Sequence, residues 1–548
     1  MISWRTGPAV PLFLFLFCCA LYAINLDKAP HFDELYHVLA ARGYNATGNF
    51  AIAEGVYTRA WPFTRAVAAL FSIFGEHLWV ARLPSVLCIA LMVTVLFIWM
   101  RREAGLLVAV IGAGLFAVSP FAVDIAQFAR FYGIHGLAFL VGSLLTYDLV
   151  TRPRGVGPVA VRGALAIAAF LVAIVFQVTT FIGIAALGLW AVLYLLVPWL
   201  ARPEVTASRR LAVIAGLILL AAIALAAAAA SGKLSYALAL YRSTALWAES
   251  NANDVTFYHV WMILYYPTFW TLLPVLLVVA LVAHPRITFF AITVFGIAFV
   301  LHSFAGAKDL RYIFYATPFL FVVWGVGLAA VLARAVRYFR DHSGVVLARL
   351  LPGRRVAGLV SAALVMAVIW LVAANAASIR TVLMLADITI PPERPAPQWD
   401  LAKPILDPLI AGSDVVVVSS ELEALYFLGS YDVLISRSRM GERAGAMGRA
   451  EAPEFSRDTR TGRPVISTPG SVEELMACYP RGIIITSIYR WRHGPMLSNE
   501  VADLIIQRAT PVELPKASRV MAFTWDNEPT ADPAGCPAVR APAEAATS

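Results

Sequence analysis

Two adjacent carboxylates, Asp33 and Glu34, follow the first apolar run of the chain, within the segment 29–37 (APHFDELYH). Pro30 precedes the pair, and Gly43 follows it, so the sequence predicts a short helix that begins near the pair and ends at Gly43. Acidic residues at a helix start cap free N–H groups and favour the helix dipole, which is one interpretation of the pair. The other interpretation is chemical, because two carboxylates at a membrane surface are well placed to meet a lipid headgroup and an incoming hydroxyl.

The same predicted helix carries an apolar stripe of Leu35, Val38 and Leu39. We expect this stripe to lie on the membrane surface. The loop then continues through 61–63 (WPF) into a second amphipathic helix that runs to Phe74. The sequence therefore predicts two surface helices around the acidic pair.

The composition shows what kind of chain must position these residues. Of 548 residues, 60% are hydrophobic and only 14% are charged, against about 25% charged in a typical soluble domain. Apolar runs recur from Leu12 to Ala377, which predicts a polytopic α-helical membrane protein and excludes a disordered, collagenous or cysteine-knotted chain.

We expect about 11 transmembrane helices, taking about 20 apolar residues as one span. The predicted spans are 11–26, 83–100, 106–119, 131–150, 164–178, 181–200, 211–230, 260–283, 287–302, 312–333 and 356–377. The first run resembles a signal peptide but is followed by further spans without a convincing cleavage site, so we interpret it as a retained helix.

The net charge of +9 comes from arginines beside the spans. If successive spans cross the membrane in alternating directions, most of these arginines lie on one side, which the positive-inside rule assigns to the cytoplasm. The topology therefore explains the positive charge, and nucleic acid is not an expected partner. The opposite face receives 27–82, 124–130, 231–259, 303–311 and everything after 378. Nearly all acidic residues of the membrane half lie on that outer face, and we expect the chemistry there.

The sequence after Ile390 is polar and begins with the proline-rich stretch 391–397. We interpret 1–378 as the membrane domain, 379–398 as a linker and 399–548 as a periplasmic soluble α/β domain. The predicted elements of that domain are strands at 414–419 and 482–486 and helices at 421–428 and 471–478. Cys478 and Cys536 share the oxidising side, so a disulfide between them is a hypothesis.

Several outer-face residues are candidates for binding the substrate or the phosphate group of a donor. Lys308 and Arg311 lie at the outer end of a span, where charge is costly unless it is functional or paired. The alternative is an ion pair with Asp309 together with snorkelling to the interface. The other candidates are Arg59, Arg65, Asp124, Arg130, Tyr132 and Tyr312.

Two of these candidates have equally open alternatives. Arg130 and Tyr132 could instead anchor the helix end at the membrane interface, where both residue types are common. Asp124 is either a second acid of the site or the partner of Arg130.

Four sequence features together resemble one family. They are the Asp-Glu pair after the first span, 82–85 (RLPS), 127–132 (QFARFY), and 308–312 (KDLRY) with Pro318 inside the following span. In their order and sidedness they resemble the protein O-mannosyltransferase and aminoarabinose transferase superfamily of C-type membrane glycosyltransferases. The resemblance covers roughly 1–378.

The resemblance implies that a monosaccharide moves from a polyprenyl-phosphate donor to a hydroxyl of an envelope glycan, lipid or protein. It also implies that Asp33 acts as general base with inversion of the anomeric centre, and that Glu34 orients the acceptor or supports Asp33. A carboxylate can accept the hydroxyl proton, and Arg or Lys can stabilise the departing phosphate. We expect no cofactor and no metal site, although a divalent metal could also serve the phosphate.

The predicted location is the bacterial inner membrane, with donor, acceptor and membrane lipid as the binding partners. A transporter or flippase of lipid-linked sugars is the main alternative. Such a protein should carry ionisable or helix-breaking residues at mid-membrane in several spans, whereas here the charges gather at span ends. A passive membrane scaffold for the outer domain is a further alternative, but it has no need of the acidic pair.

Overall fold

The computed structural model describes residues 9–152, 155–230, 232–242, 251–347, 353–528 and 535–539. The chain divides into two compact units. The first, here called the helical unit, comprises Met1–Leu26, Pro84–Thr244 and Ala248–Pro392. The second, here called the α/β unit, comprises Asp27–Leu83, Ala245–Trp247 and Glu393–Ser548.

The helical unit consists of apolar helices joined by short connections. Their bounds are Ala9–Tyr22, Leu78–Ala104, Leu106–Ala117, Pro120–Ala126, Tyr132–Thr151, Val156–Phe176, Thr180–Leu200, Ala207–Ala230, Lys233–Arg242, Phe257–Tyr265, Pro267–Thr271, Leu273–Ala283, Pro285–Ser303, Leu310–Ile313, Thr317–Leu347, Gly353–Ala373 and Ala376–Leu385. The first residues of the helix Leu78–Ala104, up to Leu83, belong to the α/β unit.

Among the described residues, six helices are long and apolar enough to cross a membrane, or up to eight if each of two bent helix pairs is one span. This confirms a polytopic helical membrane protein, with fewer candidate spans than the 11 we expected. Each apolar run that we predicted as a span falls on one or more helices. Ala9–Tyr22 and Leu273–Ala283, however, are shorter than the six helices that are long enough to cross a membrane. The predicted span 260–283 is broken into three helices, because Pro267 and Pro274 lack the N–H that a continuous helix needs.

The α/β unit combines two stretches of chain that are far apart in sequence. Its helices are Leu35–Thr47, Trp61–Phe74, Trp399–Ala411, Glu421–Phe427, Arg437–Ala446, Pro469–Cys478 and Asn499–Arg508. Its strands are β1 (Ala51–Ile52), β2 (Gly55–Val56), β3 (Val415–Val418), β4 (Val433–Ile435), β5 (Ser456–Arg457), β6 (Pro464–Ile466), β7 (Arg481–Ser487), β8 (Thr510–Val512) and β9 (Val520–Asp526).

Strands β3 to β9 form one sheet in the order β5-β6-β4-β3-β7-β9-β8. The central strands β6, β4, β3 and β7 are parallel, and the outer pairings are antiparallel. The predicted C-terminal strands and helices are therefore found, within a few residues of the predicted bounds. The hypothesised disulfide is confirmed, since Cys478 is bonded to Cys536.

The helix Leu35–Thr47 covers one face of this sheet. Leu35 and Leu39 belong to the same buried cluster as Val416 and Val418 of β3, while Val415 and Val417 point into a second cluster on the other face. The apolar stripe that we expected on the membrane surface is thus part of a protein core. We placed the first outer loop in the membrane domain, whereas the structure places Asp27–Leu83 in the α/β unit.

The helix does not end at Gly43, as the sequence predicted, but at Thr47, where Gly48 takes the left-handed conformation with φ of 77°. Gly43 serves a different purpose. A Cβ atom on it would lie 2.1 Å from the carbonyl oxygen of Ala51. The glycine therefore allows β1 to pass directly against the helix.

Candidate active site

The acidic pair lies in a tight helical turn, Phe32–Glu34, that leads directly into the helix Leu35–Thr47. His31 caps this turn, since its Nδ1 accepts a hydrogen bond from the backbone N–H of Asp33 at 3.1 Å. The Glu34 carboxylate in turn accepts from the backbone N–H of His31 at 2.8 Å. The capping interpretation of the pair is therefore correct for Glu34.

Glu34 is also bound by an arginine on both of its oxygens. Arg82 donates from Nε to Oε1 at 2.8 Å and from Nη2 to Oε2 at 2.7 Å, and each side chain is 1% exposed. The same guanidinium donates to the backbone carbonyls of Lys28 and Ala29 at 2.9 and 3.4 Å. Glu34 is therefore a fixed anion inside the α/β unit, and Arg82 connects it to the chain just before the turn.

Asp33 has a different environment from its neighbour. Its side chain is half-buried, while that of Glu34 is buried. The cap at His31 and the ion pair of Glu34 hold the backbone on both sides of it. The turn therefore holds one half-buried acid beside one that is buried and bound by Arg82.

Sequence reasoning missed Arg82 as a site residue, although it noted the motif 82–85. The signal was present, because an arginine at the start of an apolar span is costly unless it is paired. Ser85, at the end of that motif, donates to the backbone carbonyls of Phe128 and Arg130 at 2.7 and 3.0 Å in the helical unit. Ser85 thereby connects two of the sequence motifs.

A second group of candidates converges in the helical unit around the ring of Tyr132. The guanidinium of Arg130 lies 6.0 Å from the centroid of this ring, and that of Arg311 lies 5.8 Å from it. Arg311 also lies 5.3 Å from the ring of Phe128. Arg130 and Tyr132 are buried, at 4% and 1% exposure. The guanidinium groups of Arg130 and Arg311 thus both contact the Tyr132 ring, at distances typical of cation–π pairs.

Arg311 is held by its near neighbour in sequence. Its Nη2 pairs with the Asp309 carboxylate, and its Nε donates to Asp309 Oδ1 at 2.9 Å. The ion pair with Asp309 that we considered as an alternative is therefore present. It orients the guanidinium against Phe128 and Tyr132.

Lys308 binds the loop before the helix Phe257–Tyr265. Its Nζ donates to the carbonyls of Asn251 and Ala252 at 2.9 and 2.6 Å, and the side chain is 2% exposed. Burial lowers the pKa of Lys308, and the charge of Asp254 opposes that shift. Two of its three donor positions are occupied by backbone, which favours a role in holding the loop.

The remaining candidates are distributed over both units. Arg59 and Arg65 are exposed in the α/β unit, with the Arg65 guanidinium 6.0 Å from the ring of Tyr44. Asp124 is exposed on the helix Pro120–Ala126 of the helical unit. Tyr312 is half-buried on the helix Leu310–Ile313, directly after Arg311.

The structure therefore brings the predicted residues together in two sets, one in each unit. The α/β unit holds Asp33, Glu34, Arg59 and Arg65, and the helical unit holds the other six. Within the described ranges, no group of three or more His, Cys, Asp or Glu side chains could hold a metal ion.

The chain is similar in fold to solved structures of ArnT and of the oligosaccharyltransferase AglB. Crystal structures of ArnT from Cupriavidus metallidurans, in the apo state and bound to undecaprenyl phosphate, each match with a TM-score of 0.55 at 16% identity. The matches cover 94% and 95% of this chain and 98% of ArnT.

The archaeal oligosaccharyltransferase AglB from Archaeoglobus fulgidus, in complex with an inhibitory peptide and a dolichol-phosphate, also matches. Its TM-score is 0.55 at 11% identity, over 93% of this chain and 73% of AglB. No protein-family model and no curated protein sequence matches the chain. The likeness is therefore one of fold.

Proposed function

We propose that this protein is a glycosyltransferase of the inner membrane that takes a monosaccharide from a polyprenyl-phosphate donor. The acceptor is a hydroxyl group of an envelope glycan, lipid or protein on the periplasmic face. The observation that carries the proposal is the acidic turn: Glu34 is buried with both oxygens bound to Arg82, and this ion pair holds the half-buried Asp33 beside it in a fixed turn. The shared fold with ArnT and AglB, whose structures contain lipid phosphates, supports it.

In the proposed reaction, Asp33 accepts the proton of the acceptor hydroxyl as its oxygen attacks the anomeric carbon. The new glycosidic bond forms on the face opposite the bond to the lipid phosphate, and that bond breaks with both electrons going to the phosphate oxygen. The anomeric centre is inverted. The products are the glycosylated acceptor, the polyprenyl phosphate and a protonated Asp33, which releases its proton to water.

Arg130 and Arg311 are the proposed phosphate ligands. Guanidinium groups bind phosphate oxygens through paired N–H donors, and they stabilise the negative charge of a departing phosphate. Their shared contact with Tyr132 fixes their direction before substrate arrives. Lys308 is a weaker candidate than the sequence indicated, since backbone carbonyls occupy its ammonium group.

The test is transfer by the purified protein from a radiolabelled panel of polyprenyl-phosphate sugars into envelope lipid, glycan and protein fractions. We expect label in one fraction with the wild-type protein and none with Asp33→Asn. A folded wild-type protein that transfers label from no donor would overturn the proposal and favour a transporter of lipid-linked sugars. Accumulation of an intact labelled donor inside sealed vesicles would then identify that transporter.

A further inference from the structure

The carboxyl edge of the parallel strands in the α/β unit is rich in polar residues. From β3 the chain proceeds through β4 to β6 on one side and then returns to β7 on the other side of β3, so the direction of winding reverses between β3 and β7. Open α/β sheets bind ligands outside the carboxyl ends of strands at such a reversal. Here that edge carries 419–421 after β3, 436–439 after β4 and 488–490 after β7.

Side chains of the acidic turn and of the helix after it contact this edge. The guanidinium of Arg490 lies 4.3 Å from the centroid of the Phe32 ring. Phe32 makes an edge-to-face contact with Tyr36, at 5.9 Å between ring centroids. The Tyr36 hydroxyl accepts hydrogen bonds from Arg439 and from Arg460, the latter at 3.0 Å. Two side chains of the first loop therefore lie where a sheet of this kind binds a ligand.

The arginines that hold Tyr36 are themselves fixed by two glutamates. Arg439 donates to Glu421 at 2.8 Å and to Glu442 at 2.9 Å, and Arg460 pairs with Glu442 at 2.7 Å. The side chains of Arg439 and Glu421 are 9% and 3% exposed. Buried charges of this kind need several partners with good geometry, and here the tyrosine hydroxyl is one of them.

Phe32 and Tyr36 flank the proposed base. Phe32 precedes Asp33 directly, and Tyr36 follows it by three residues, about one helical turn. Contacts that fix these two residues therefore also restrain the backbone of the turn at Asp33. On the other side of the turn, Glu34 is held by Arg82.

We propose that the C-terminal sheet is a positioning element of the active site, in which Arg439, Arg460 and Arg490 hold Tyr36 and Phe32 and thereby fix Asp33. The sheet uses its ligand-binding edge to bind a segment of its own chain. Arg439 and Tyr36 are positioning residues, since they act on Asp33 through the backbone of the turn. This inference rests on the proposed function, because it assigns a purpose to the position of Asp33.

The experiment compares Arg439→Ala, Tyr36→Phe and Arg437→Ala in the full-length protein. Arg437 is the matched control, because it is an exposed residue of the same helix that donates to the Gly494 carbonyl. We expect Arg439→Ala to lower kcat about 10- to 100-fold, with the KM for the donor within about twofold of wild type, since a small misplacement of a catalytic group is costly. Hydrogen exchange in peptides spanning 31–41 should become faster, and Arg437→Ala should match wild type in both measurements.

Tyr36→Phe tests the same contact with a smaller change, which keeps the ring and removes only the hydroxyl. It should lower kcat several-fold, and it keeps the proposal testable if Arg439→Ala does not fold. Wild-type kcat in Tyr36→Phe and in a folded Arg439→Ala, despite faster exchange at 31–41, would overturn the positioning role. Failure of the proposed function gives a different result, namely no transfer by the wild-type protein itself.

Discussion

Arg82 holds Glu34 through two parallel hydrogen bonds, at 2.8 and 2.7 Å, where both side chains are almost completely removed from solvent. This geometry matches the planar fork of a guanidinium to a carboxylate. Because Arg82 also donates to the carbonyls of Lys28 and Ala29, it fixes the chain on the N-terminal side of the acidic turn. The position of Asp33 in the turn thus depends on a neighbouring ion pair that is almost completely buried.

Arg82→Met should destabilise the protein strongly, because it leaves the buried Glu34 carboxylate without its cation. Removal of one partner from a buried ion pair costs about 3–5 kcal/mol in the free energy of unfolding. Denaturant titration of the purified protein measures this loss. The exposed pair of Arg42 and Glu76 is the control, with side chains 39% and 43% exposed, and Arg42→Met should cost about 1 kcal/mol or less. Equal losses in the two variants would contradict the structural role of Arg82.

Asp33→Asn should lower kcat by about 10²- to 10⁴-fold, the usual contribution of a general base. The amide cannot accept the hydroxyl proton, but it preserves the size of the side chain, so donor binding should persist. Asp27→Asn is the matched control in the same loop, because Asp27 accepts a hydrogen bond from the backbone N–H of Trp79 and an amide oxygen can do the same. Single-turnover transfer assays distinguish the two variants, and similar activity in both would exclude Asp33 as base.

Arg311→Ala should weaken binding of undecaprenyl phosphate about 10- to 100-fold, since a hydrogen bond to a charged group contributes about 1.5–3 kcal/mol. Arg311→Lys should give an intermediate affinity, because lysine keeps the charge but lacks the planar fork. Lys308→Met should affect binding less, because the Lys308 ammonium binds the carbonyls of Asn251 and Ala252. Binding titration with the lipid phosphate alone measures all three variants. If only Lys308→Met lost affinity, Lys308 rather than Arg311 would be the phosphate ligand.

Glu421 should make the stability of the α/β unit depend on pH. Burial raises its pKa from 4.5 to about 7, while the charges of Arg490 and Arg460 oppose that shift and Asp458 adds to it. Between pH 4.5 and 7 the folded state therefore binds more protons than the unfolded state, so the free energy of unfolding falls as the pH rises through this window and levels off above it.

Hydrogen exchange of β3 and β7 across this pH range measures the effect. Glu421→Gln should flatten the profile between pH 4.5 and 7, because the amide does not titrate. Glu442→Gln is the comparison variant, since this side chain also binds Arg439 but is 40% exposed. An unchanged slope in Glu421→Gln would show that another group carries the pH dependence.

Reduction of the Cys478–Cys536 disulfide should destabilise the C-terminal end of the α/β unit. The bond closes a separation of 58 residues, for which the chain-entropy relation gives about 4 kcal/mol. The paired variant Cys478→Ser/Cys536→Ser should lower the thermal unfolding midpoint as much as reduction of the wild-type protein does. Cys88→Ser should have no such effect, because the Cys88 thiol is free.

Much of the fold could be predicted because it depends on local pattern. Apolar runs of helix-spanning length identified the membrane helices, and β-branched runs identified β3 and β7. The prediction failed where local composition hides a break, as in 260–283, where Pro267 and Pro274 interrupt an apolar run. Gly43 was misassigned for a related reason, because its function is a close contact with Ala51 rather than a helix end.

The sequence by itself determined that this is a polytopic membrane protein and singled out the acidic pair, because these depend on residue type and short spacing. Only the tertiary structure decided which residue binds Glu34 and which contacts hold the turn that contains Asp33. Arg82 is 48 residues from Glu34 along the chain, and Arg439 is 403 residues from Tyr36. No local periodicity encodes such contacts, because they form only when burial of Leu35 and Leu39 against β3 brings the first loop onto the C-terminal sheet.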